Sequence, residues 1–206
     1  MSLKGLYAIT DEHLTPDASV VSQVKIALEA GVKIIQYRNK NDTDNDVEKI
    51  CIQLQQLCSQ HSATFIIDDR PHLAQKIDAD GLHIGKDDIT LCEARAIFPK
   101  GIIGVSCYGS IRKALEAQSD GANYVAFGSF FPSPTKPHSG IVSMSVLEKA
   151  NNELVIPICA IGGINVTNIH EISAHKPDMI SIVSAIWEGD IKRNITQLKQ
   201  GMLVHS

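Results

Sequence analysis

Short apolar runs and longer helix-like stretches alternate along the chain. The apolar runs are rich in β-branched side chains, as buried strands are. They occupy residues 6–10, 33–38, 64–69, 81–85, 102–107, 124–128, 157–162 and 179–185. Between them, apolar positions recur at helical spacing in segments such as 18–30, 44–61, 110–119 and 145–152. Because parallel strands need crossover connections, this alternation predicts an α/β fold with a parallel sheet.

Eight strand–helix units within 206 residues predict a compact (β/α)8 TIM barrel. An open doubly wound sheet is the alternative arrangement of the same units. No linker, low-complexity segment or shift in composition divides the chain, so we expect one catalytic domain over residues 1–206. In a TIM barrel the chemistry lies at the carboxyl ends of the strands, and candidate functional residues are therefore sought there.

Charge and cysteine content narrow the class of protein. The formal net charge of −4 argues against general binding to nucleic acid or membrane surfaces, so anionic ligands would need a local basic cluster. The five cysteines are odd in number and lack CxxC spacing, which favours structural thiols in a reducing compartment. We find no export signal and no apolar run long enough to span a membrane, and we expect a cytoplasmic protein.

The second apolar run ends in polar side chains that share one face of a strand. Gln36, Arg38 and, if the strand extends, Lys40 alternate with Tyr37. Two cations and an amide in register suit a phosphate group, since Arg offers a planar fork and Lys a compact charge. A solvated strand end is the alternative. Tyr37, on the opposite face, is expected to pack between the barrel and its helices.

Carboxylates follow the third and fourth runs. Asp68 and Asp69 end the third run and Asp88 follows the fourth, so adjacent strand ends bring carboxylates to one mouth. Magnesium takes one or two carboxylates and completes its shell with water and substrate phosphates, which predicts an Mg²⁺ site. Helix capping is the alternative, because Pro71 marks a helix start after Asp69 and Asp88 precedes a helix beginning near Leu91.

Smaller polar residues mark the other strand ends. Ser106 shares a face with Gly104, where its hydroxyl would position a heterocycle or bond to backbone. Residues 128–140 carry hydroxyls beside a lysine, as in a phosphate-binding loop or an exposed connection. The loops after the seventh and eighth strands often bind phosphate in this fold, although Gly162–Gly163 would also serve a simple turn. His83 is expected to be a packed or hydrogen-bonded core residue.

Placed in order, these segments resemble the thiamine phosphate synthase family over nearly the whole chain. The matching segments are residues 5–11, 36–40, 68–70, 83–88, 104–106, 132–136, 160–164 and 183–186. The resemblance implies a magnesium-dependent transferase that couples a hydroxymethylpyrimidine pyrophosphate to a thiazole phosphate, giving thiamine phosphate and pyrophosphate by a dissociative, carbocation-like mechanism. It implies small-molecule substrates, with no nucleic acid or membrane partner.

The resemblance also implies roles for single residues. The segment that contacts the pyrimidine pyrophosphate is matched by Gln36, Arg38, Lys40 and Asp68, and a serine near the pyrimidine by Ser106. The magnesium ligands are matched by Asp69 and Asp88. The loop that closes over the phosphates is matched by Ser133, Thr135 and Lys136, and backbone positions that hold the thiazole phosphate by Gly163, Val183 and Ser184. The candidate catalytic residues are Arg38, Lys40, Ser106 and Lys136.

Three positions depart from the family's pattern. Asp68 stands where Asn is common, which adds repulsion toward pyrophosphate unless the metal or Arg70 offsets it. Ser133 stands in place of Thr and keeps the hydroxyl. Residues 141–145 lack a glycine commonly found before the sixth helix.

Two other functions are compatible with the same barrel. A related thiazole tautomerase needs no binding site for pyrophosphate. The chain nevertheless has two cations at the end of the second strand and carboxylates at the ends of the third and fourth strands, which disfavours this alternative. A non-catalytic sensor of phosphorylated ligands would bind without turnover, but the intact candidate metal ligands disfavour it. Homodimers are common among barrels, and we expect one here.

Overall fold

The computed structural model describes residues 3–133 and 140–203, and these form a closed barrel of eight parallel strands. The strands are β1 (Gly5–Ile9), β2 (Ile34–Tyr37), β3 (Thr64–Asp68), β4 (Gly81–Ile84), β5 (Ile102–Tyr108), β6 (Tyr124–Phe127), β7 (Ile158–Ile161) and β8 (Met179–Ile182). Each strand pairs with its neighbours in sequence, and β1 pairs with β8 to close the sheet. The predicted (β/α)8 TIM barrel is confirmed, and the open sheet is excluded.

Helices connect the strands on the outside. They are α1 (Val20–Glu29), α2 (Asp44–Gln60), α3 (Pro71–Lys76), α4 (Leu91–Ile97), α5 (Ile111–Ser119), α6 (Ser145–Glu153), α7 (Ile169–Ala174), α8 (Ser184–Trp187) and α9 (Ile191–Leu203). The eighth strand was predicted to reach residue 185, but it ends at Ile182 because the four-residue helix α8 begins at Ser184. This extra helix places backbone groups at the carboxyl end of β8.

Two apolar layers hold the barrel together. The interior layer consists of Tyr7, Ile9, Ile34, Ile66, Tyr124, Ala126, Cys159 and Met179. The outer layer lies between strands and helices and takes the alternate strand residues, such as Ile35 and Tyr37. Tyr37 is 3% exposed there, which confirms its predicted packing role. Because one face of each strand packs against the helices in the outer layer, the other face of β2 points into the barrel interior and toward its mouth.

The cysteines are free thiols, four of them buried. Cys51 and Cys58 lie on the buried face of α2, and burial raises the pKa of each thiol to about 12. Burial likewise raises the pKa of Cys107 to about 12, so this thiol stays protonated and is no nucleophile at neutral pH. Within residues 3–133 and 140–203, no helix has the length and apolar character needed to cross a membrane.

Candidate active site

The carboxyl ends of β2 and β3 bring cations and carboxylates into contact. Lys40 Nζ lies 3.2 Å from Asp68 Oδ2 and in close contact with the carboxylate of Asp69. Arg38 Nε lies 3.8 Å from Asp68 Oδ2. Burial alone would lower the pKa of Lys40, but the bonds and charges of Asp69 and Asp68 raise it above its ordinary value. Lys40 is therefore held as a cation at the barrel mouth.

Glu12, in the loop after β1, completes this cluster. Its Oε1 accepts a hydrogen bond of 2.7 Å from the backbone N–H of Lys40, and its Oε2 lies 3.4 Å from Nη1 of Arg38. Glu12 thus contacts the guanidinium of Arg38 and fixes the backbone of Lys40 at the end of β2. The sequence interpretation missed this residue, although its place directly after the first strand was the available signal.

Asp69 leaves β3 in a left-handed conformation, with φ of +54°. This backbone turn is uncommon for a residue with a side chain and is a feature that clusters at functional sites. Burial raises the pKa of Asp69, the bond from Lys40 lowers it, and the nearby charges of Asp68 and Asp88 raise it further. The three carboxylates are therefore close enough to repel one another.

The capping alternative is wrong for both candidate magnesium ligands. The N-cap position of α3 is Arg70, with no side-chain cap bond, and Asp69 faces Lys40 instead. The N-cap of α4 is Thr90, which forms a capping box with Glu93. Asp88 Oδ2 accepts a 2.6 Å bond from the backbone N–H of Gly85, which holds its carboxylate at the end of β4.

The donor set at this mouth fits magnesium better than a transition metal. No group of three or more His, Cys, Asp or Glu side chains in the described part of the chain is arranged to hold a metal ion. Magnesium needs only one or two carboxylates when substrate phosphates and water supply the remaining ligands. Burial first, and then the charges of Asp68 and Asp88, raise the pKa of Asp69, and a bound cation would relieve the repulsion among these charges. Asp69 and Asp88 are therefore the residues that would hold it.

Arg70 does not offset the charge of Asp68. Its Nη1 lies 2.6 Å from Asp44 Oδ1, and its Nη2 donates to the backbone carbonyl of Asp42 at 2.7 Å. Arg70 thereby ties down the loop that follows β2. The charge of Asp68 is instead offset by Lys40 and Arg38, the two cations assigned to the phosphate.

A pocket opens at the same end of the barrel, at the carboxyl ends of β5 to β8. The cavity has a volume of about 140 Å³ and is open to solvent at the mouth. Of the residues singled out in the sequence, the lining includes Ser106, Ser133, Gly163, Val183 and Ser184. The structure therefore brings together the predicted heterocycle residue and the predicted phosphate residues of the last two strands.

The loops after β6 and β7 pack against each other where only glycine fits. Gly162 and Gly163 have φ of +107° and +65°, conformations that side chains rarely adopt. A Cβ on Gly162 would collide with Ser129, and one on Gly163 would lie 2.6 Å from the carbonyl oxygen of Phe131. The Gly-Gly pair is thus required for this close approach, which shapes one wall of the pocket.

The short helix α8 lies at the next wall. Val183 occupies its N-cap position without a side-chain cap bond, and Ser184 is its first residue. Barrels of this type often bind phosphate between the loops after strands 7 and 8 and a short extra helix. Gly163, Val183 and Ser184 occupy those positions here.

The barrel interior holds hydrogen-bonded polar side chains that the sequence interpretation largely missed. His83 is 9% exposed, and its ring nitrogens lie 2.8 Å from Tyr124 Oη and 2.9 Å from Ser106 Oγ. The prediction of a hydrogen-bonded core histidine is confirmed, and the partner of Ser106 is this side chain rather than backbone. Tyr7 joins Tyr124 to Gln36 in the same network.

Ser181 of β8 is a further residue that the sequence did not single out. Its hydroxyl is buried, has no hydrogen-bond partner within the described residues, and lines the pocket. A buried hydroxyl without a partner costs free energy that a ligand would recover. Thr135 and Lys136 lie outside the described residues, so their roles stay predictions.

Comparisons with known proteins place the chain among thiamine-phosphate synthases. The family profile described as thiamine monophosphate synthase (TMP-TENI) matches residues 6–186. The thiamine-phosphate synthase of Wolinella succinogenes is 42% identical over 93% of this chain and 89% of its own length. That of Thermoplasma acidophilum is 38% identical over 97% and 93%, respectively.

Solved structures agree with these sequence relatives. Thiamine phosphate pyrophosphorylase from Pyrococcus furiosus superimposes with a TM-score of 0.89 at 36% identity, covering 98% of this chain and 96% of that one. A 3-hexulose-6-phosphate synthase from Salmonella typhimurium reaches 0.73 at 16% identity, with 98% and 100% covered, and shares the fold alone.

Proposed function

The chain belongs to the thiamine monophosphate synthase family, and we propose that it joins a hydroxymethylpyrimidine pyrophosphate to a thiazole phosphate, releasing pyrophosphate. Its relatives of about 40% identity are thiamine-phosphate synthases, so it is a transferase of thiamine biosynthesis. The observation that carries the finer proposal is the cluster of Arg38, Lys40, Asp69 and Asp88 at the same end of the barrel as a pocket lined by the loops after β6, β7 and β8.

The pyrophosphate group belongs at the charged mouth. Arg38 and Lys40 present two cations there, and the resemblance adds Lys136 from the loop after β6. When held by Asp69 and Asp88, Mg²⁺ supplies further positive charge toward the phosphates. Groups that stabilise charge where it develops provide the largest catalytic term in many enzymes, with about 3 kcal/mol for each donor.

The two heterocycles belong in the pocket. Gln36, 2% exposed in the interior, and Ser106 at the pocket wall would orient the pyrimidine. Gly163, Val183 and Ser184 would hold the thiazole phosphate through their backbone. Ser133 lines the pocket, and with Thr135 and Lys136 it would close over the phosphates. Both reacting partners would then meet at the edge of the charged cluster.

The bond changes balance without removal of a proton. The bond between the pyrimidine methylene and the pyrophosphate oxygen breaks, and both electrons leave with pyrophosphate. The electron-rich aminopyrimidine supports the resulting cation, and the lone pair of the thiazole nitrogen forms the new C–N bond. Positive charge ends on the thiazolium ring. Arg38 and Lys40 stabilise the departing anion, while the pocket holds the two carbon skeletons in line.

The tautomerase alternative has less support from this site. Isomerisation of a thiazole ring needs no cradle for pyrophosphate. The described residues nevertheless hold Arg38 and Lys40 beside two candidate magnesium ligands, with Glu12 contacting the guanidinium of Arg38 and the backbone N–H of Lys40. An arrangement that specialised favours coupling over isomerisation, and it also favours catalysis over a ligand sensor.

The reaction itself is tested by incubating the purified protein with Mg²⁺, hydroxymethylpyrimidine pyrophosphate and hydroxyethylthiazole phosphate. We expect thiamine phosphate, measured by oxidation to fluorescent thiochrome, and no product after chelation of the metal. Release of pyrophosphate in equal amount is the independent readout. Folded protein that binds either substrate but forms no thiamine phosphate would contradict the proposal and favour the tautomerase or sensor.

A second prediction concerns Asp68, which occupies a position where Asn is common. Its carboxylate engages both cations that we assign to the phosphate, so it competes with the ligand. We expect Asp68→Asn to bind pyrophosphate with Mg²⁺ about fivefold more tightly, since a partly exposed ion pair contributes up to about 1 kcal/mol. Isothermal titration calorimetry measures this change.

The matched control for Asp68 is Asp44→Asn, which removes a carboxylate paired with Arg70 outside the assigned site. We expect its affinity for pyrophosphate to equal that of the wild type. Weaker binding by Asp68→Asn would show instead that the carboxylate organises Arg38 and Lys40 for the ligand.

The compartment and the oligomeric state stay predictions. The free cysteines suit a reducing compartment, and we propose that the enzyme works in the cytoplasm as one catalytic domain. The homodimer expected from the sequence is to be measured by light scattering.

A further inference from the structure

Four hydrogen bonds join five polar side chains across the barrel interior. Gln36 Nε2 donates to Tyr7 Oη at 2.7 Å, and the two tyrosine hydroxyls lie 2.9 Å apart. Tyr124 Oη lies 2.8 Å from His83 Nδ1, and His83 Nε2 lies 2.9 Å from Ser106 Oγ. The chain therefore runs from β2 through β1, β6 and β4 to β5, and ends at a hydroxyl in the pocket wall.

One direction of donation gives every phenol proton in this chain an acceptor. Gln36 donates to the oxygen of Tyr7, and the other partner of that hydroxyl is Tyr124. The single proton of Tyr7 therefore has an acceptor only if it bonds the oxygen of Tyr124. The proton of Tyr124 then bonds His83 Nδ1, which must be an acceptor. A neutral imidazole carries its proton on the other nitrogen, so His83 Nε2–H donates to Ser106 Oγ. The Ser106 proton is thereby released for a bond to another acceptor.

Burial keeps this arrangement fixed. Tyr7 and Tyr124 are at most 1% exposed, and burial raises the pKa of both phenols well above the ordinary value, so both stay protonated. The imidazole of His83 stacks on the ring of Tyr124 with centroids 5.6 Å apart. Reversing any one bond in a buried chain would leave a proton or a lone pair without its partner, at a cost of about 1–3 kcal/mol.

We propose that Tyr7, Tyr124 and His83 are positioning residues that fix the tautomer of His83 and so hold Ser106 as a hydrogen-bond donor to the bound heterocycle. The identity of the heterocycle rests on the proposed function. A ring nitrogen of an aminopyrimidine can only accept a hydrogen bond. A serine that is held as a donor therefore binds this nitrogen in preference to an N–H group. A ligand that presents an N–H at this point would bond the second lone pair of Ser106 Oγ and leave the hydroxyl proton without an acceptor, which disfavours that ligand.

The first test measures the tautomer directly, without substrate. Long-range ¹H–¹⁵N correlation spectra of histidine-labelled protein distinguish Nε2–H from Nδ1–H imidazole, and the His83 signals are those lost in His83→Gln. We expect neutral Nε2–H at neutral pH. An Nδ1–H tautomer, or a doubly protonated ring, would reverse the chain and overturn the proposal. Failure of the coupling reaction leaves this readout intact, so the two proposals fail separately.

The second test asks whether the effect passes through Ser106. We expect Tyr124→Phe to raise KM for the pyrimidine pyrophosphate about tenfold with kcat little changed, as loss of one buried hydrogen bond predicts. In a Ser106→Ala background, the same substitution should add nothing. Equal tenfold losses in both backgrounds would show that Tyr124 acts by packing and not through Ser106.

Control variants separate this role from general loss of stability. Tyr37→Phe removes another buried phenol oxygen, in the outer layer, and should leave KM unchanged. If Tyr124→Phe does not fold, Tyr7→Phe interrupts the same chain one bond earlier, and the wild-type spectrum remains decisive. A tenfold rise in KM for Tyr37→Phe would contradict the proposal.

Discussion

Replacing Lys40 with alanine is expected to lower kcat/KM for the pyrimidine pyrophosphate about 10²- to 10³-fold. Lys40 Nζ is the cation closest to the carboxylates of both Asp68 and Asp69, and the charges of these groups keep it protonated. In the proposed reaction it stabilises negative charge as pyrophosphate departs. Because that charge is larger in the transition state than in the bound substrate, kcat should fall more than KM rises.

The measurement is the steady-state thiochrome assay at saturating Mg²⁺, with Lys33→Ala as the matched control. Lys33 lies just before β2, at the opposite end of the strand, where its Nζ donates to the backbone carbonyl of His61. That variant should keep wild-type kcat and KM. An unchanged kcat in the Lys40→Ala enzyme would show that Lys40 contributes to substrate binding and not to the chemical step.

The fold could be predicted because each strand and helix carries its own pattern. A closed barrel buries every strand on both faces, so the strands appear as apolar runs whose ends are marked by the first polar residues. Alternation along β2 placed Gln36 and Tyr37 on opposite faces, as observed: Gln36 bonds Tyr7 in the interior, and Tyr37 packs in the outer layer. Boundaries were less reliable at β8, where α8 begins within the predicted run.

The same alternation fails at the end of β3. Adjacent residues on a strand point to opposite faces, so Asp68 and Asp69 should diverge. Both nevertheless contact Lys40, because Asp69 turns out of the strand with φ of +54°. No pattern of residue types marks a left-handed aspartate. The positions of the strand ends therefore predicted that these carboxylates lie close together. They did not predict that both carboxylates contact Lys40.

The interior hydrogen bonds were hidden for a different reason. Tyr7 and Tyr124 are aromatic residues in apolar runs, and such residues are expected to pack as core. Their hydroxyls meet only because β1 and β6 face each other across the barrel, 117 residues apart in sequence. Glu12 was missed because loop residues follow no periodicity, and its role depends on where the β1 loop passes the end of β2.

Asp88→Asn is expected to raise the Mg²⁺ concentration needed for half-maximal activity about 100-fold, as loss of a carboxylate donor to the ion predicts. The substitution suits the site because the amide oxygen of Asn can still accept the bond from the backbone N–H of Gly85. The loop after β4 is thus preserved while the negative charge is lost. Any large effect then reports on the metal and not on the local fold.

Metal binding is measured apart from activity, by electron paramagnetic resonance of Mn²⁺ with pyrophosphate present. Asp87→Asn is the control, since it removes the neighbouring carboxylate, to which we assign no metal contact. We expect Asp87→Asn to bind Mn²⁺ like the wild type and Asp88→Asn to bind it far more weakly. Weak Mn²⁺ binding by Asp87→Asn and wild-type binding by Asp88→Asn would show that Asp87, and not Asp88, is the metal ligand. Wild-type binding by both would leave Asp69 and the substrate phosphates to hold the ion, and Asp88 would then serve only to bond Gly85.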